Sequence, residues 1–152
     1  MSRTLVVVAA LLALAAGAAP AGPAEPCSPT ELIGMDPAQA FAALGAPAGI
    51  FTQRGAVANE DDVVFFYPDF RYVFWFGNRV WQVSYDRRYA GSVLGFSIGM
   101  GRAEAEAAAP GRLQESGGSL FLSVDTGRFP LRVRLAMTDG RITDIYVYRG
   151  DW

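Results

Sequence analysis

Residues 70–89, FRYVFWFGNRVWQVSYDRRY, hold the densest apolar segment of the chain and its clearest local signal. Two alternating runs, 71–76 and 79–85, flank Gly77-Asn78, and runs of this kind read as paired strands. Glycine at the first central position of a two-residue loop suits a type II′ turn, whose twist matches that of the strands it joins. Pairing outward from that turn sets Phe76 opposite Arg79, Trp75 opposite Val80, Phe74 opposite Trp81 and Tyr72 opposite Val83, and opposed residues share a face. One face of the hairpin is therefore expected to carry Tyr72, Phe74, Phe76, Arg79, Trp81, Val83 and Tyr85. The other carries Arg71, Val73, Trp75, Val80, Gln82 and Ser84.

Working upstream, residues 63–67 read as a strand, and Tyr67-Pro68-Asp69-Phe70 as a turn with proline at its favoured second position. Residues 49–53 read as an earlier strand, followed by a loop with the acidic run Glu60-Asp61-Asp62. Asp36 is a good N-cap, Pro37 occupies the tolerated first helical position, and residues 38–44 continue as AQAFAAL until Gly45 and Pro47 stop the helix. That short helix is expected to bury Phe41 and Leu44.

Downstream, the same order of signals returns. Gly34-Met35 recurs as Gly99-Met100, and the alanines at 38, 40, 42 and 43 fall on Ala103, Ala105, Ala107 and Ala108, with Pro110-Gly111 as the stop. A strand at 119–124 follows, then a hairpin over 131–148 around Asp139-Gly140, a strong type I′ signal. Arg79-Val80 corresponds to Arg141-Ile142 and Arg87 to Arg149. The matching order predicts an internal repeat. The fold class expected is α+β: two tandem helix-plus-antiparallel-meander repeats, 31–90 and 91–152, with helices on one face of the sheet.

A Gly-Met-initiated helical segment followed by a meander, in tandem, resembles the β-lactamase inhibitory protein. Each half also resembles the small outer-membrane assembly lipoproteins of the SmpA/OmlA type, through residues 34–40 and the stop Leu44-Gly45-Ala46-Pro47. The resemblance implies helices on one sheet face and the other face available to bind protein. Two departures stand out: no lipobox precedes the cysteine, and the paired cysteines associated with the inhibitor are missing, so inhibition of β-lactamase is not carried over.

The N-terminal residues read as an export signal. Arg3 supplies a positive start, residues 5–16 are apolar, and small residues follow, which is the pattern of a secretory signal peptide over 1–21, cleaved after Ala18 or Ala21. The apolar run is shorter than the roughly 20 residues a transmembrane helix needs, and no transmembrane helix is expected in the mature chain. Residues 22–30, rich in Ala and Pro, are expected as a flexible tether. Cys27 is the only cysteine, so no intramolecular disulfide exists. Ala24-Glu25-Pro26 before it do not form the pattern ahead of a lipoprotein cysteine, and lipid attachment at Cys27 is not expected. The protein is read as exported, periplasmic or extracellular, with membrane association left open.

Composition removes most chemistry. All 13 basic residues are arginine, and the chain has no lysine and no histidine. Schiff-base lysines, imidazole bases and histidine metal sites are therefore excluded. A net charge of −2 offers no bulk attraction to nucleic acid. The acidic run lacks the alternating spacing and glycine of a calcium loop, so no metal site and no cofactor are predicted. The function expected is a non-catalytic protein-binding module of the envelope or periplasm, with an envelope or secreted protein as partner. The alternative is a lipid-attached envelope assembly or integrity factor of the same fold.

The candidate site follows from comparing the hairpins. In the second, Leu131, Val133, Leu135, Met137, Ile142, Tyr146 and Tyr148 are read as the buried face, opposite Arg132, Arg134 and Arg141. If both halves share one sheet, Tyr72, Phe74, Trp81 and Tyr85 form an exposed aromatic patch beside Arg132, Arg134 and Arg141, a composition enriched in binding hot spots. The competing reading makes the aromatic stripe the core of the first half.

Overall fold

The structure is a computed structural model and describes residues 27–55 and 61–151. The expected signal peptide, the start of the tether and residues 56–60 lie outside the described residues. Three short helices, α1 (Pro29–Leu32), α2 (Pro37–Leu44) and α3 (Arg102–Ala108), accompany ten strands. The strands are β1 (Gly49–Gln53), β2 (Asp62–Phe66), β3 (Arg71–Phe76), β4 (Arg79–Tyr85), β5 (Ser92–Val93), β6 (Phe96–Ser97), β7 (Gln114–Ser116), β8 (Ser119–Asp125), β9 (Pro130–Thr138) and β10 (Arg141–Arg149).

Eight strands form one antiparallel sheet in the order β1-β2-β3-β4-β10-β9-β8-β7, and β5 with β6 make a separate two-stranded ribbon. This corrects the expected α+β class of two helix-plus-meander repeats: the fold is dominated by a single large sheet, and its helices are minor coverings. The physical reason is that β4 pairs with β10 along Ile145–Tyr85, Tyr146–Ser84, Val147–Val83 and Tyr148–Gln82. That pairing satisfies both inner edges at once and leaves no boundary between halves. The helices stay short because their own punctuation ends them. Asp36 caps α2 through Gln39 N at 2.9 Å, and Gly45, at φ +75°, terminates it. Ser28 likewise caps α1, so Pro29 and Thr30, expected in the tether, are helical. No helix among the described residues is long and apolar enough to cross a membrane.

The core lies on the sheet face that the helices cover. A cross-strand row runs through Phe65, Val73, Val83, Val147, Val133 and Leu122. A second runs through Arg71, Tyr85, Ile145, Leu135 and Leu120. Leu32 and Ile33 from the α1 end, Ala40 from α2 and Ala105 from α3 close over these rows, and the resulting cluster is continuous. Each fully buried Val, Leu or Ile contributes about 1.5–3 kcal/mol of transfer free energy. Helix α2 turns Ala40 inward and leaves Phe41 41% exposed, contrary to the expectation for Phe41, with its ring edge-on to Phe65 at 5.7 Å.

Both hairpins contain a one-residue bulge that strict alternation does not foresee. Trp75 pairs with Val80 but Phe74 with Gln82, so Trp81 is the extra residue; in the second hairpin Met137 pairs with Ile142 but Ala136 with Asp144, so Thr143 is extra. Each bulge reverses the facing of everything beyond it. Val80, Val83 and Tyr85 therefore share the core face, as do Ile142, Ile145 and Val147, while Tyr146 and Tyr148 move to the opposite face from the one expected. The first turn also differs: Gly77 and Asn78 have φ of +54° and +58°, the type I′ signature rather than type II′.

A short backbone clasp next to each bulge holds the chain onto the sheet. Gly34 N donates to Val80 O at 2.7 Å and Val80 N to Met35 O at 3.0 Å; Gly99 N donates to Ile142 O at 2.8 Å and Ile142 N to Met100 O at 2.9 Å. Arg79 and Arg141 complete the two clasps, donating from Nη1 to Gly34 O at 3.3 Å and to Gly99 O at 2.8 Å. Gly34 has φ +93°, and a β-carbon there would stand 3.2 Å from Phe129 Cε1, so glycine is required both for its backbone angle and for space.

Candidate protein-binding face

The sheet face away from the helices is built from residues on the other side of each pleat. One row crosses it through Phe66, Tyr72, Ser84, Tyr146, Arg134 and Phe121. The adjacent row crosses through Phe51, Val64, Phe74, Gln82, Tyr148, Arg132 and Ser123. Neighbouring strands lie about 4.8 Å apart, so aromatic and arginine ends of each row are separated by about 15 Å. The face is thus aromatic over β1–β3, carries Trp81, Gln82 and Ser84 on β4 and Tyr146 and Tyr148 on β10, and is cationic over β9.

Of the seven predicted site residues, Tyr72, Phe74, Trp81, Arg132 and Arg134 lie on this face. Tyr85 does not. The Trp81 bulge turns it into the core, where it is 2% exposed beside Tyr89 and burial pushes its phenol well above the usual range. Arg141 is committed to the Gly99 clasp at the end of β10. Phe74 is on the predicted face but only 6% exposed, because Val64, its cross-strand neighbour, and Trp81, edge-on at 6.3 Å, pack around it. Residues of this face that the sequence reading missed are Phe51, Phe66, Gln82, Tyr146, Tyr148 and Phe121. No sequence feature near Trp81 or Thr143 marks a bulge.

The aromatic end is held in place by polar anchors. Trp81 Nε1 donates to Asp62 Oδ1 at 2.9 Å, and burial raises the Asp62 carboxyl despite that bond. Tyr72 donates to Asp86 Oδ2 at 2.8 Å, and Arg88 donates Nε to Asp86 Oδ1 at 3.1 Å and Nη2 to the Tyr72 hydroxyl at 2.9 Å. The Arg88 guanidinium lies 4.3 Å over the Phe70 ring, which adds cation–π attraction. Its hydrogen bonds to Asp86 hold that carboxyl down at about 2. Burial, then the bond to Asp86, raises the Tyr72 phenol.

The cationic end is arranged differently. Arg132 lies over Phe121 at 5.6 Å and Arg134 over Tyr146 at 5.4 Å, and Arg134 Nε also donates to Ser119 Oγ at 3.2 Å. Between the two ends is a shallow depression of about 290 Å³ lined in part by Phe51, Tyr72, Gln82, Asp144 and Tyr146. Side chains stacked on aromatics lose less rotamer freedom on binding, which favours recognition by pre-ordered groups. No group of three or more His, Cys, Asp or Glu side chains is placed to hold a metal among the described residues.

No protein-family model matches the chain, and no curated protein matches it. Among the solved structures that share its fold are two bacterial proteins. One is an extracellular protein containing an SCP domain from Bacillus anthracis str. Ames, with a TM-score of 0.56 and 12% identity over 86% of this chain and 48% of that one. The other is a cysteine-rich secretory protein from Staphylococcus aureus subsp. aureus Mu50, with a TM-score of 0.51 and 13% identity over 79% of this chain and 45% of that one. The chain spans less than half the length of either. These neighbours correct the expected resemblance to the β-lactamase inhibitory protein and the SmpA/OmlA lipoproteins. The motifs behind that expectation, an alanine-rich turn and a Leu-Gly-x-Pro stop, encode how any short helix begins and ends, and so carry little information about the sheet.

Proposed function

We propose that this protein is an exported, non-catalytic binding module that takes a protein partner of the envelope or the secreted fraction on the open face of its sheet. The observation that carries the proposal is the pair of cross-strand rows that set Tyr72, Phe74 and Trp81 on the same helix-free face as Arg132 and Arg134. Phe51, 45% exposed, and the half-buried Tyr72 and Trp81 gain from burial against a partner, with Phe74 packed beneath them, and aromatic and arginine side chains dominate binding energy at interfaces. Export is supported by the signal-like residues 1–21 and by the extracellular and secretory character of the two fold neighbours. A non-catalytic role is supported by the lack of histidine and lysine.

The lipid-attached alternative is less favoured. Cys27 is half-buried, its Sγ lies 3.4 Å from Glu31 Oε2, and it packs against the core. An acyl-bearing cysteine needs its sulfur free to reach a bilayer.

Capture from an envelope extract tests the proposal, with wild-type protein and a Trp81→Ala/Arg134→Ala variant as baits. The variant is expected to retain less than a tenth of the captured partner, because truncating two interface anchors removes at least about 2 kcal/mol. Equal capture by both baits overturns the assignment of this face.

A further inference from the structure

The two outer edges of the large sheet are built differently. Strand β7 is only three residues long, and its Glu115 is tied by a 2.7 Å ion pair to Arg102. Shortness and charge are the means by which proteins keep sheet edges from pairing with other chains. Strand β1, at the other edge, is five residues long and reads Gly-Ile-Phe-Thr-Gln. It contains no charge, no proline and no bulge against β2.

Exposed apolar groups gather at that same edge. On the helix side, Ile50 is 61% exposed, Phe41 of α2 is 41% exposed and Val63 of β2 is 40% exposed. On the open side, Phe51 is 45% exposed and lies edge-on to Tyr72. A strand added to β1 therefore meets apolar side chains on both of its faces and no charge to pair with. It must itself be uncharged and carry apolar groups on both faces. Strand β1 is such a strand, with Ile50 on one face and Phe51 on the other.

We infer that β1 is a self-association edge, on which a second copy of this chain pairs antiparallel about a twofold axis through Phe51. That register sets Phe51 against its counterpart on the open face and Ile50 against Thr52 of the second copy on the helix face. The twofold axis stands perpendicular to the sheet, so the helix-covered faces of both copies stay on one side and the binding faces on the other. The N–H and C=O groups on the outer edge of β1, unpaired among the described residues, gain partners. A contact of five residues per strand is small beside the about 1,200–2,000 Å² of a stable complex, so association is reversible and depends on concentration. The inference shares Phe51 with the open-face row but needs no open-face partner.

Sedimentation equilibrium of purified protein, from about 5 to 500 μM, reads the association directly. The mass is expected to rise toward that of a dimer across this range. Ile50→Lys, an exposed substitution on the helix side, places two ammonium groups beside the twofold and is expected to weaken association at least tenfold. Glu115→Lys on the opposite edge is expected to leave it unchanged. A Phe51→Cys variant in a Cys27→Ser background reports the register, and is expected to form a disulfide-linked dimer under mild oxidation. A monomer at every concentration, or a dimer that Ile50→Lys leaves intact, overturns the inference. A disulfide that forms only when the cysteine is placed elsewhere in β1 overturns the register.

Discussion

Replacing Asp86 by asparagine keeps the shape of the side chain and removes the charge that Arg88 and Tyr72 are arranged around. In the folded protein the Asp86 carboxyl is held at about 2, first by its bonds from Arg88, against a reference value of 3.8. A depression of this size corresponds to about 2 kcal/mol of favourable interaction with the ionised form. Asp86 lies near the surface and its side chain keeps 20% of its exposure, so solvent screening reduces the measurable effect to about 1 kcal/mol. Because the folded value is the lower one, this stabilisation is complete above the unfolded value near about 4 and is lost as pH falls through about 2. Asp86→Asn is therefore expected to lower Tm by about 3 °C at pH 7, and the difference from wild type should close between about pH 4 and pH 2. Thermal unfolding at a series of pH values measures it. A difference that persists undiminished at pH 2, or none at pH 7, refutes the assignment of Asp86 as a charged anchor of the binding face.

Two further pairs of substitutions probe the core side. Arg71 is 3% exposed, donates to Asp69 Oδ2 at 2.6 Å, and leaves Nε and Nη1 buried without hydrogen-bond partners among the described residues; Arg71→Met is expected to be neutral or stabilising by about 1–4 kcal/mol, whereas Asp69→Ala, which strands the buried charge, should destabilise by about 3 kcal/mol, both read by urea unfolding. Gly34→Ala and Gly99→Ala incur similar backbone strain of about 1–2 kcal/mol at φ +93° and +86°, but only the first drives a β-carbon against Phe129; the Gly34 variant should be the less stable by about a further 1 kcal/mol, measured by thermal denaturation.

The local grammar of the chain was readable, and its long-range pairing was not. Asp36, Pro37 and Gly45 bracket α2 as their capping chemistry requires, and Asp139-Gly140 makes the type I′ turn it signals. Residues 49–53 form β1 as expected. The buried face of β9 could be named from the alternation of Leu131, Val133 and Leu135 because that strand is regular from end to end. What failed failed at two residues. Trp81 and Thr143 enter their strands as extra residues, and nothing in a strand's own composition distinguishes a bulged tryptophan from a paired one. The consequence was large because facing alternates: Tyr85 passed from the predicted site into the core, and Tyr146 passed from the predicted core onto the open face. Tyr72, Phe74, Trp81, Arg132 and Arg134 still fall on one face, since they sit within a bulge or belong to an unbulged strand, but the aromatic and arginine ends lie about 15 Å apart and Phe74 is buried. The joining of β4 to β10 was beyond reach for another reason. It depends on two edges with complementary core rows, a property of the assembled halves and not of either segment.

That junction also fixes when the protein can be finished. Strand β4 is complete at Tyr85, yet the strand that covers its outer edge is β10, about 60 residues later, where Tyr85 meets Ile145. A chain made at about 5–20 residues per second spends about 3–12 s between the two. Throughout that interval a meander that begins folding as it emerges carries Val83 and Tyr85 on an unpaired edge, open to any other extended segment nearby. A chain kept extended until β10 is available, as one threaded through an export channel is, never passes through that state.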